Sequence, residues 1–390
     1  MAFNMHPATT QVRYPFNGNL NPNEVFGSIY NMIINQYVKS PKLVNNYSFV
    51  ETFRTEGSMF GDTILIYDQD ILPTTAWNGD LEATDLLATA RPDDPECQAI
   101  TLNKFRKVKT TVDSYLSKRA WSTPTAFTDF NNIVVSMLGQ SKKIYEVSLI
   151  NTFLGALEGE AEVNRLDIPL SDITETGEAK NRLQAQTIAE YIANLIVDLK
   201  DYTRKYNDYG FMRAYSEDDI MIVWNSEWIN KINKLDLPTI FNKAGLMDKF
   251  DQNILPARFF AEITTAENVG AASGLTAVGN AVTIGSSYSG PAIITRVEGD
   301  FVGPDGRMKH LIPGEQLPVG ATFNIGEAEF VDSNVIAKVI TKDTIKYMAA
   351  FETAGEFYNP QALLSNHILI WGFSDPTRVK GEPCITVHAD

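Results

Sequence analysis

The longest regular pattern in the chain is a helix signal of more than about thirty residues. Apolar side chains recur at steps of three and four up to about Leu157. Ser122 or Thr123 can cap its start, and Pro124 suits the first turn, where the missing backbone N–H costs nothing. Gly139 is the weak point, worth about 1 kcal/mol relative to alanine. At about 1.5 Å per residue, such a helix is roughly 50 Å long, which predicts a spine.

A second amphipathic helix is predicted over residues 178–206. It is followed by a five-residue apolar run, 220–224, which predicts a buried strand, and by another helix from about Ser226. One face of the second helix carries an apolar stripe at steps of three and four: Ile188, Ile192, Leu195, Leu199, Tyr202 and Tyr206.

Three adjacent acids, Glu217, Asp218 and Asp219, stand directly before the predicted strand. Acidic residues are poor strand formers. Neighbouring side chains on an extended chain also point in different directions, so three carboxylates in a row do not converge on one substrate. We therefore interpret the trio as a solvated start of the strand, and a catalytic carboxylate among them is the weaker alternative.

Between residues 57 and 121 the pattern changes to strands. TILIYDQDILPTTAW and AITLNKFRKVKTTVDSYLS each read as one strand, and a polar, acidic stretch separates them. This arrangement predicts a long, projecting two-stranded hairpin with a basic return strand. Because two strands alone bury little apolar surface, such a hairpin must pack on a neighbour.

The basic run KFRKVK on the return strand is a candidate contact surface. Alternation along a strand places Lys104 and Arg106 on one face and Lys107 and Lys109 on the other. Two interpretations remain open: an edge strand that charge protects against aggregation, and a salt-bridge surface that meets acids of another copy. Nucleic-acid binding is the weakest interpretation, because 33 basic and 48 acidic residues leave a net charge of −15.

Residues 1–23 carry a single charge, and their aromatic side chains are spread among asparagine and proline. This stretch has too little apolar content to fold alone, so we expect an arm that lies on another surface. Its candidate contact residues are Phe3, Tyr14 and Phe16. The stretch has neither the basic start nor the apolar centre of a signal peptide. No apolar run approaches the roughly 18 residues that a membrane span needs.

Residues 270–326 hold eleven of the 25 glycines and four prolines. Short apolar strands alternate there with turn residues, and residues 303–306 (GPDG) predict a tight turn. We expect an inserted all-β module. Its acids, such as Asp300 and Asp305, support one alternative function, a carbohydrate-binding or carbohydrate-active protein, although acids are ordinary residues in turns.

Sequence patterns of nucleotide, metal and nucleophile sites are not found. The glycines form no phosphate-binding loop, and the four histidines are far apart in sequence. Cys97 and Cys384 have neither a CxxC pattern nor a nearby histidine pair, which favours a reducing compartment over a disulfide framework or a zinc site. We predict no catalytic, cofactor or metal site and no enzymatic activity.

The order of these elements resembles the major capsid protein of tailed bacteriophages, the Hong Kong 97-like fold, and particularly those of small short-tailed phages (podoviruses). The most specific stretch is RAYSEDDIMIVWNSEWINKINKLDLPTIFN, followed by NILPARFF, which looks like the axial domain of that family. FYNPQALLSNHILIWGFSDPTRVKGEPCITVHA looks like its closing peripheral-domain strands. The glycine-rich module is not part of the minimal fold.

The resemblance implies an α+β fold and a division of the chain. Its segments are an N-terminal arm (1–23), the start of a peripheral domain (24–56), an extended β-hairpin loop (57–121), the spine helix with further peripheral domain (122–177), an axial domain (178–265), the inserted β module (266–330) and the closing strands of both domains (331–390).

The resemblance also implies self-assembly as pentamers and hexamers into an icosahedral shell that encloses a double-stranded DNA genome. The expected partners are other copies of the chain, a separate scaffolding protein and a portal protein, with only weak, non-specific contact to DNA and none to a membrane. The expected location is the virion, after assembly in the bacterial cytoplasm. An encapsulin-like compartment shell is the alternative that shares this fold.

Overall fold

The structure is a computed structural model. Contacts divide the chain into two units: a smaller unit of Met1–Asn46, Lys104–Ile144 and Ala350–Phe373, and a larger unit that holds the remaining residues. The residues described are 47–56, 63–74, 76–77, 79, 91–113, 124–157, 164–233, 251–265, 275–278, 281–286, 288, 293–294, 299–324, 327–331 and 334–390.

In the described residues, strands greatly outnumber helices, which agrees with the predicted α+β class. The α-helices are α1 (Pro124–Ala156), α2 (Glu178–Lys200) and α3 (Ser226–Asn233). The strands are β1 (Arg54–Glu56), β2 (Thr63–Asp68), β3 (Glu96–Thr101), β4 (Lys104–Asp113), β5 (Arg165–Ile168), β6 (Ile220–Asn225), β7 (Asp251–Leu255), β8 (Ala261–Thr265), β9 (Leu275–Val278), β10 (Ala281–Ile284), β11 (Ile293–Ile294), β12 (Gly299–Val302), β13 (Met308–Leu311), β14 (Thr322–Asn324), β15 (Glu327–Val331), β16 (Val335–Thr341), β17 (Ile345–Asn359), β18 (Leu364–Phe373), β19 (Thr377–Arg378) and β20 (Cys384–Ala389).

The core of the larger unit is a five-stranded sheet in the order β5-β20-β16-β6-β7. Every residue of β6 and β16 is buried, as expected for apolar runs covered on both faces. The predicted strand at 220–224 is therefore confirmed, and α3 begins at Ser226 as expected. Helix α2 packs on this sheet through the predicted stripe residues Ile188, Ile192, Leu195 and Leu199.

Helix α2 begins at the predicted residue but ends at Lys200, not at 206. Asp201 is extended, and its carboxylate accepts the Tyr202 backbone N–H at 2.8 Å, which competes with a further helical turn. Thr203 then exchanges two backbone hydrogen bonds with Arg213. Tyr202 consequently leaves the stripe and is 79% exposed.

The glycine-rich part of the larger unit is all-β where it is described. A five-stranded antiparallel sheet, β13-β12-β14-β10-β9, encloses a small core of its own around Val282, Phe301 and Phe323. The GPDG turn is confirmed: the Gly306 N–H donates to the Gly303 carbonyl at 2.9 Å, and Gly306 has the positive φ that such a turn favours. A separate three-stranded sheet has the order β11-β15-β8.

The predicted return strand of the hairpin is in fact two strands with different partners. Strand β3 pairs antiparallel with β2, and the two form a ribbon in the larger unit. The chain then breaks at residues 102–103, and the basic run lies on β4, which pairs along its whole length with β18 in the smaller unit. The prediction of one basic return strand is wrong, because the apolar side chains of β18, Leu369 and Trp371 among them, give β4 a better-buried partner than the ribbon can offer.

Helix α1 confirms the predicted long helix, within one residue at its C-terminal end. Lys338, buried in β16, donates from its ammonium group to the Leu157 carbonyl just beyond the helix. Carbonyls at a helix C-terminus lack intrahelical partners, so this cation stabilises the end of α1. A Cβ at Gly155 would overlap the backbone carbonyl of Phe259. The last turn of α1 therefore packs directly against the Phe259 backbone, and only glycine leaves room for this contact.

We expect Gly155→Ala to lower the free energy of unfolding by about 1–3 kcal/mol, because the added methyl forces the Phe259 backbone away. Gly139→Ala, in the same helix, is the matched control, since a Cβ there meets no described atom within 4 Å. It should raise stability by up to about 1 kcal/mol through helix propensity. Urea unfolding of both variants checks this, and equal effects of the same sign would contradict it.

Candidate assembly surfaces

The ribbon, defined as β2 and β3, has one exposed apolar face. In its register Leu65 lies opposite Ala99 and Tyr67 opposite Cys97, so all four side chains share a face. Leu65 is 50% and Tyr67 64% exposed, whereas Ile100 on the other face is buried. A two-stranded ribbon has no interior of its own, so the described residues leave this face uncovered.

The chain that follows β2 extends this apolar character. Ile71, Leu72 and Trp77 are all exposed, and the Trp77 side chain is 83% accessible. Large apolar side chains that are exposed close together in sequence are typical of surfaces that contact another protein. In TILIYD both faces of the strand carry apolar residues, Leu65 and Tyr67 on one and Ile64 and Ile66 on the other, so the sequence alone does not show which face is covered.

Ion pairs fix the base of the ribbon. Arg213 pairs with Asp68, the last residue of β2, and Arg204 pairs with Asp70 two residues later. The Asp70 carboxylate also accepts the Met212 backbone N–H at 2.9 Å. That hydrogen bond, together with the Arg204 guanidinium, lowers the pKa of Asp70 to about 2, so the anchor is charged at neutral pH.

A second anchor holds β3. The Gln98 side-chain amide donates to the Arg378 carbonyl at 2.6 Å, and its oxygen accepts the Lys380 backbone N–H at 3.1 Å. Arg378 in turn makes two 2.6 Å hydrogen bonds to the carboxylate of Asp208, a nearly buried bidentate pair. Both strands of the ribbon are thus held to the rest of the larger unit by side chains, and no short sequence motif marks these side chains.

The carboxyl of Glu382 lies near the first anchor. The Thr341 hydroxyl donates to it at 2.7 Å. Burial raises the pKa of Glu382, and the negative charges of Asp343 and Asp68 add to this, while Thr341 and Arg213 act in the opposite direction. The ionised carboxylate is therefore less favourable here than in water.

The predicted basic surface lies on β4, at one end of the sheet β1-β17-β18-β4. Register with β18 confirms the predicted faces. Lys104 and Arg106 lie opposite Phe373 and Trp371 on one face, while Lys107 and Lys109 lie opposite Ile370 and Ile368 on the other. The arm residues Phe3, Tyr14 and Phe16 lie outside the described residues.

The acidic trio occupies a turn directly before β6, as the sequence predicted. The Glu217 carboxylate pairs with Lys200, and the backbone carbonyl of Asp218 accepts a hydrogen bond from the Lys342 ammonium at 2.6 Å. Asp218 and Asp219 are exposed. Glu217 is thus held by an ion pair and Asp218 contributes its backbone carbonyl, and the three described acids do not form a cluster that could hold a metal ion.

Comparison with known proteins assigns the family. A sequence model of the Phi29-like phage major capsid protein family matches residues 16–371, most of the chain. The chain belongs to this family. The predicted resemblance to the major capsid proteins of tailed phages is thereby confirmed. The protein is a structural component of a phage head. No curated protein sequence matches the chain.

Solved structures agree with this family at the level of the fold. A chain in the structure of the head fiber and inner core protein gp22 of native bacteriophage P68 is 13% identical with a TM-score of 0.58, covering 98% of this chain and 92% of that one. The capsid of Staphylococcus phage Andhra gives 13% identity and a TM-score of 0.54, covering 98% and 95%. The mature capsid of bacteriophage PhiM1 gives 9% identity and a TM-score of 0.50, covering 92% of this chain and 91% of that one.

The alternative functions are not favoured by this family. In the capsid protein Asp300 is exposed, and its carboxylate oxygen Oδ1 lies 3.1 Å from the ring nitrogen Nδ1 of His310 across the β12–β13 hairpin. Asp305 accepts the Arg307 backbone N–H within the turn, and this hydrogen bond lowers its pKa. Both acids therefore have local structural partners. Among the described residues, no group of three or more His, Cys, Asp or Glu side chains could hold a metal ion.

The two cysteines of the capsid protein, both within the described residues, form no disulfide bond. Cys97 is exposed on the apolar face of the ribbon, and Cys384 is buried in β20. None of the helices in the described part of the chain is long and apolar enough to cross a membrane.

We expect Glu382→Gln to raise the melting temperature of the capsid protein at pH 8. Because the pKa of Glu382 is raised in the fold, the ionised side chain costs stability above that pKa, and the cost disappears below the unfolded value near 4.5. The difference from wild type should therefore shrink as the pH falls towards 4. Thermal unfolding across this range measures it, with exposed Glu175→Gln as the control. A difference that is constant with pH would contradict the assignment.

Proposed function

We propose that copies of this capsid protein assemble as pentamers and hexamers into an icosahedral shell around double-stranded DNA, with a Hong Kong 97-like architecture. The observation that carries the proposal is the ribbon, whose apolar face is exposed among the described residues while its base is held by ion pairs. An apolar face on a fixed support suits contact with a neighbouring subunit. Closed symmetry then repeats each modest contact many times.

In this architecture α1 is the spine helix and the ribbon belongs to the extended loop, 57–121. Residues 1–23 are the arm, 24–56 and 122–177 contribute to the peripheral domain, and 178–265 form the axial domain. The chain leaves the central sheet after β7 and returns to it at β16, which supports an inserted module at 266–330. The remaining residues, 331–390, close both domains.

Further contacts between subunits are proposed for the basic strand and the arm. Strand β4 is an end strand of its sheet, and Lys107 and Lys109 are exposed on it. Aromatic side chains in a nearly uncharged arm need a surface on which to lie. The full set of proposed contact residues is Lys104, Arg106, Lys107, Lys109, Phe3, Tyr14 and Phe16.

The proposed partners follow from the shell. A separate scaffolding protein and a portal protein would act during assembly in the host cytoplasm, and the finished protein would reside in the virion. The net charge of −15 supports only weak, non-specific contact with the packaged DNA, because tight phosphate binding requires clustered basic residues. No catalytic role is proposed for any residue.

Electron microscopy of the purified full chain, expressed with and without the neighbouring genes of its phage, tests the shell directly. We expect closed shells, or pentamers and hexamers when a scaffold is present. A protein that stays strictly monomeric under all of these conditions, with no rings or shells, would overturn the proposed assembly.

Removing the apolar side chain of Tyr67 tests the role of the ribbon. Tyr67→Ser should lower the yield of shells by about tenfold or more, since the loss recurs at every contact of the assembly. Tyr202→Ser is the matched control, because Tyr202 is 79% exposed but lies outside the ribbon. Sedimentation measures the yield, and unchanged melting temperatures show that both variants are folded. Equal yields from the two variants would contradict the role of the ribbon.

A further inference from the structure

Among its described residues, the smaller unit contains a sheet segment with two edges on which no further strand is paired. Strand β18 lies between β17 and β4. The first five residues of β17 pair with β19 and β1, but no strand of the described residues pairs with the outer edge of 350–359 or with the outer edge of β4. We call 350–359 the acidic edge and β4 the basic edge. Each is ten residues long, so one could cover the other completely.

The acidic edge is exposed to a degree that is unusual for a strand. Phe357 is 65% and Tyr358 54% exposed, and adjacent residues of a strand point to opposite faces. Both faces of the strand are therefore accessible near the end of β17. The backbone N–H and C=O groups along its outer edge are also not paired with any described strand. Long open edges that carry apolar side chains pair readily with other strands. This edge needs a partner in the assembled state.

The charges of the two edges are complementary. The basic edge carries four basic residues and one acid, whereas the acidic edge carries Glu352 and Glu356 and no basic residue. Glu352 pairs with Lys142 at 2.6 Å and is half exposed, and Glu356 is exposed. Like edges brought together would repel, and unlike edges attract, so the charges favour a contact between different edges of two copies.

The directions of the strands allow such a contact to repeat. Strand β4 is antiparallel to β18, and β17 is joined to β18 by a short turn at 360–363, so β17 and β4 run in the same direction. A second copy placed beside the first in the same orientation brings its β17 parallel to β4. The sheet then continues from copy to copy without reversal.

We propose that the basic edge of one capsid protein pairs with the acidic edge of a second copy, head to tail, so that one β-sheet continues across the contact. The proposal rests on the assembly proposed above and names one surface that produces it. A contact between two different surfaces is heterologous, and such contacts close into rings when the rotation between copies permits. Strand addition at an open edge supplies backbone hydrogen bonds, and the charges select the partner and its orientation.

Zero-length cross-linking tests the contact without assuming its register. Shells assembled from a mixture of ¹⁵N-labelled and unlabelled subunits are treated with a water-soluble carbodiimide, which joins a lysine ammonium to a touching carboxylate. We expect peptides that link Lys107 or Lys109 to Glu352 or Glu356 with mixed isotope masses, which only a contact between two subunits can produce. Links of these lysines only within one subunit, or only to acids of the ribbon, count against the proposal.

Charge exchange provides the second measurement. Lys107→Glu combined with Lys109→Glu should reduce the shell yield by about tenfold, as should Glu352→Lys combined with Glu356→Lys. All four changes together should restore the yield to within about threefold of wild type, because the edges are complementary again. The control is Lys143→Glu, which reverses an exposed charge on α1. Combined with Glu352→Lys and Glu356→Lys, it should not restore the shell yield that those two changes reduce.

The outcomes separate this contact from the assembly itself. Wild-type protein that forms no shell under any condition overturns the proposed function. Wild-type shells with the mixed-mass link, or with rescue by the fourfold exchange, support the pairing of the two edges. Shells that show neither result overturn this proposal while leaving the capsid assembly intact. Melting temperatures of all variants identify any that fail to fold, and for these the cross-link in wild-type shells decides.

Discussion

The pairing of β16 with β6 and β20 is the constraint on which the larger unit depends. It joins distant parts of the chain, and the Asn225 side-chain amide adds a 2.9 Å hydrogen bond to the Val335 carbonyl, 110 residues away. Because these strands are buried on both faces, a shift of register would break the close packing of their side chains on both sides of the sheet. The β-rich segment between β7 and β16 therefore starts and ends on this sheet, and the arginines that anchor the ribbon, Arg204 and Arg213, precede its strand β6.

Elements whose signals are local were predictable from the sequence. Helix α1 and the buried face of α2 follow from apolar spacing and a suitable first turn, and β6 follows from a continuous apolar run. The family resemblance rested on the order of such elements, and it held although the solved structures share only about a tenth of their residues with this chain.

Features decided by distant residues were not predictable. The basic run reads equally well as a strand of the ribbon or of another sheet, and only the apolar residues of β18, more than 250 positions later, decide between them. The end of α2 depends on a backbone bridge between Thr203 and Arg213. Likewise, the anchors of the ribbon combine Asp68 and Asp70 with arginines more than 130 residues away. No spacing rule links these positions, since the contacts exist only in three dimensions.

One feature of the ribbon makes its surroundings chemically observable. Cys97 lies opposite Tyr67 on the exposed apolar face, while the other cysteine of the chain is buried in the central sheet. A thiol reagent in water therefore distinguishes the two positions without any engineered probe. In the assembly proposed above, neighbouring subunits cover the ribbon, so the rate at which the reagent modifies Cys97 would fall as a shell approaches closure.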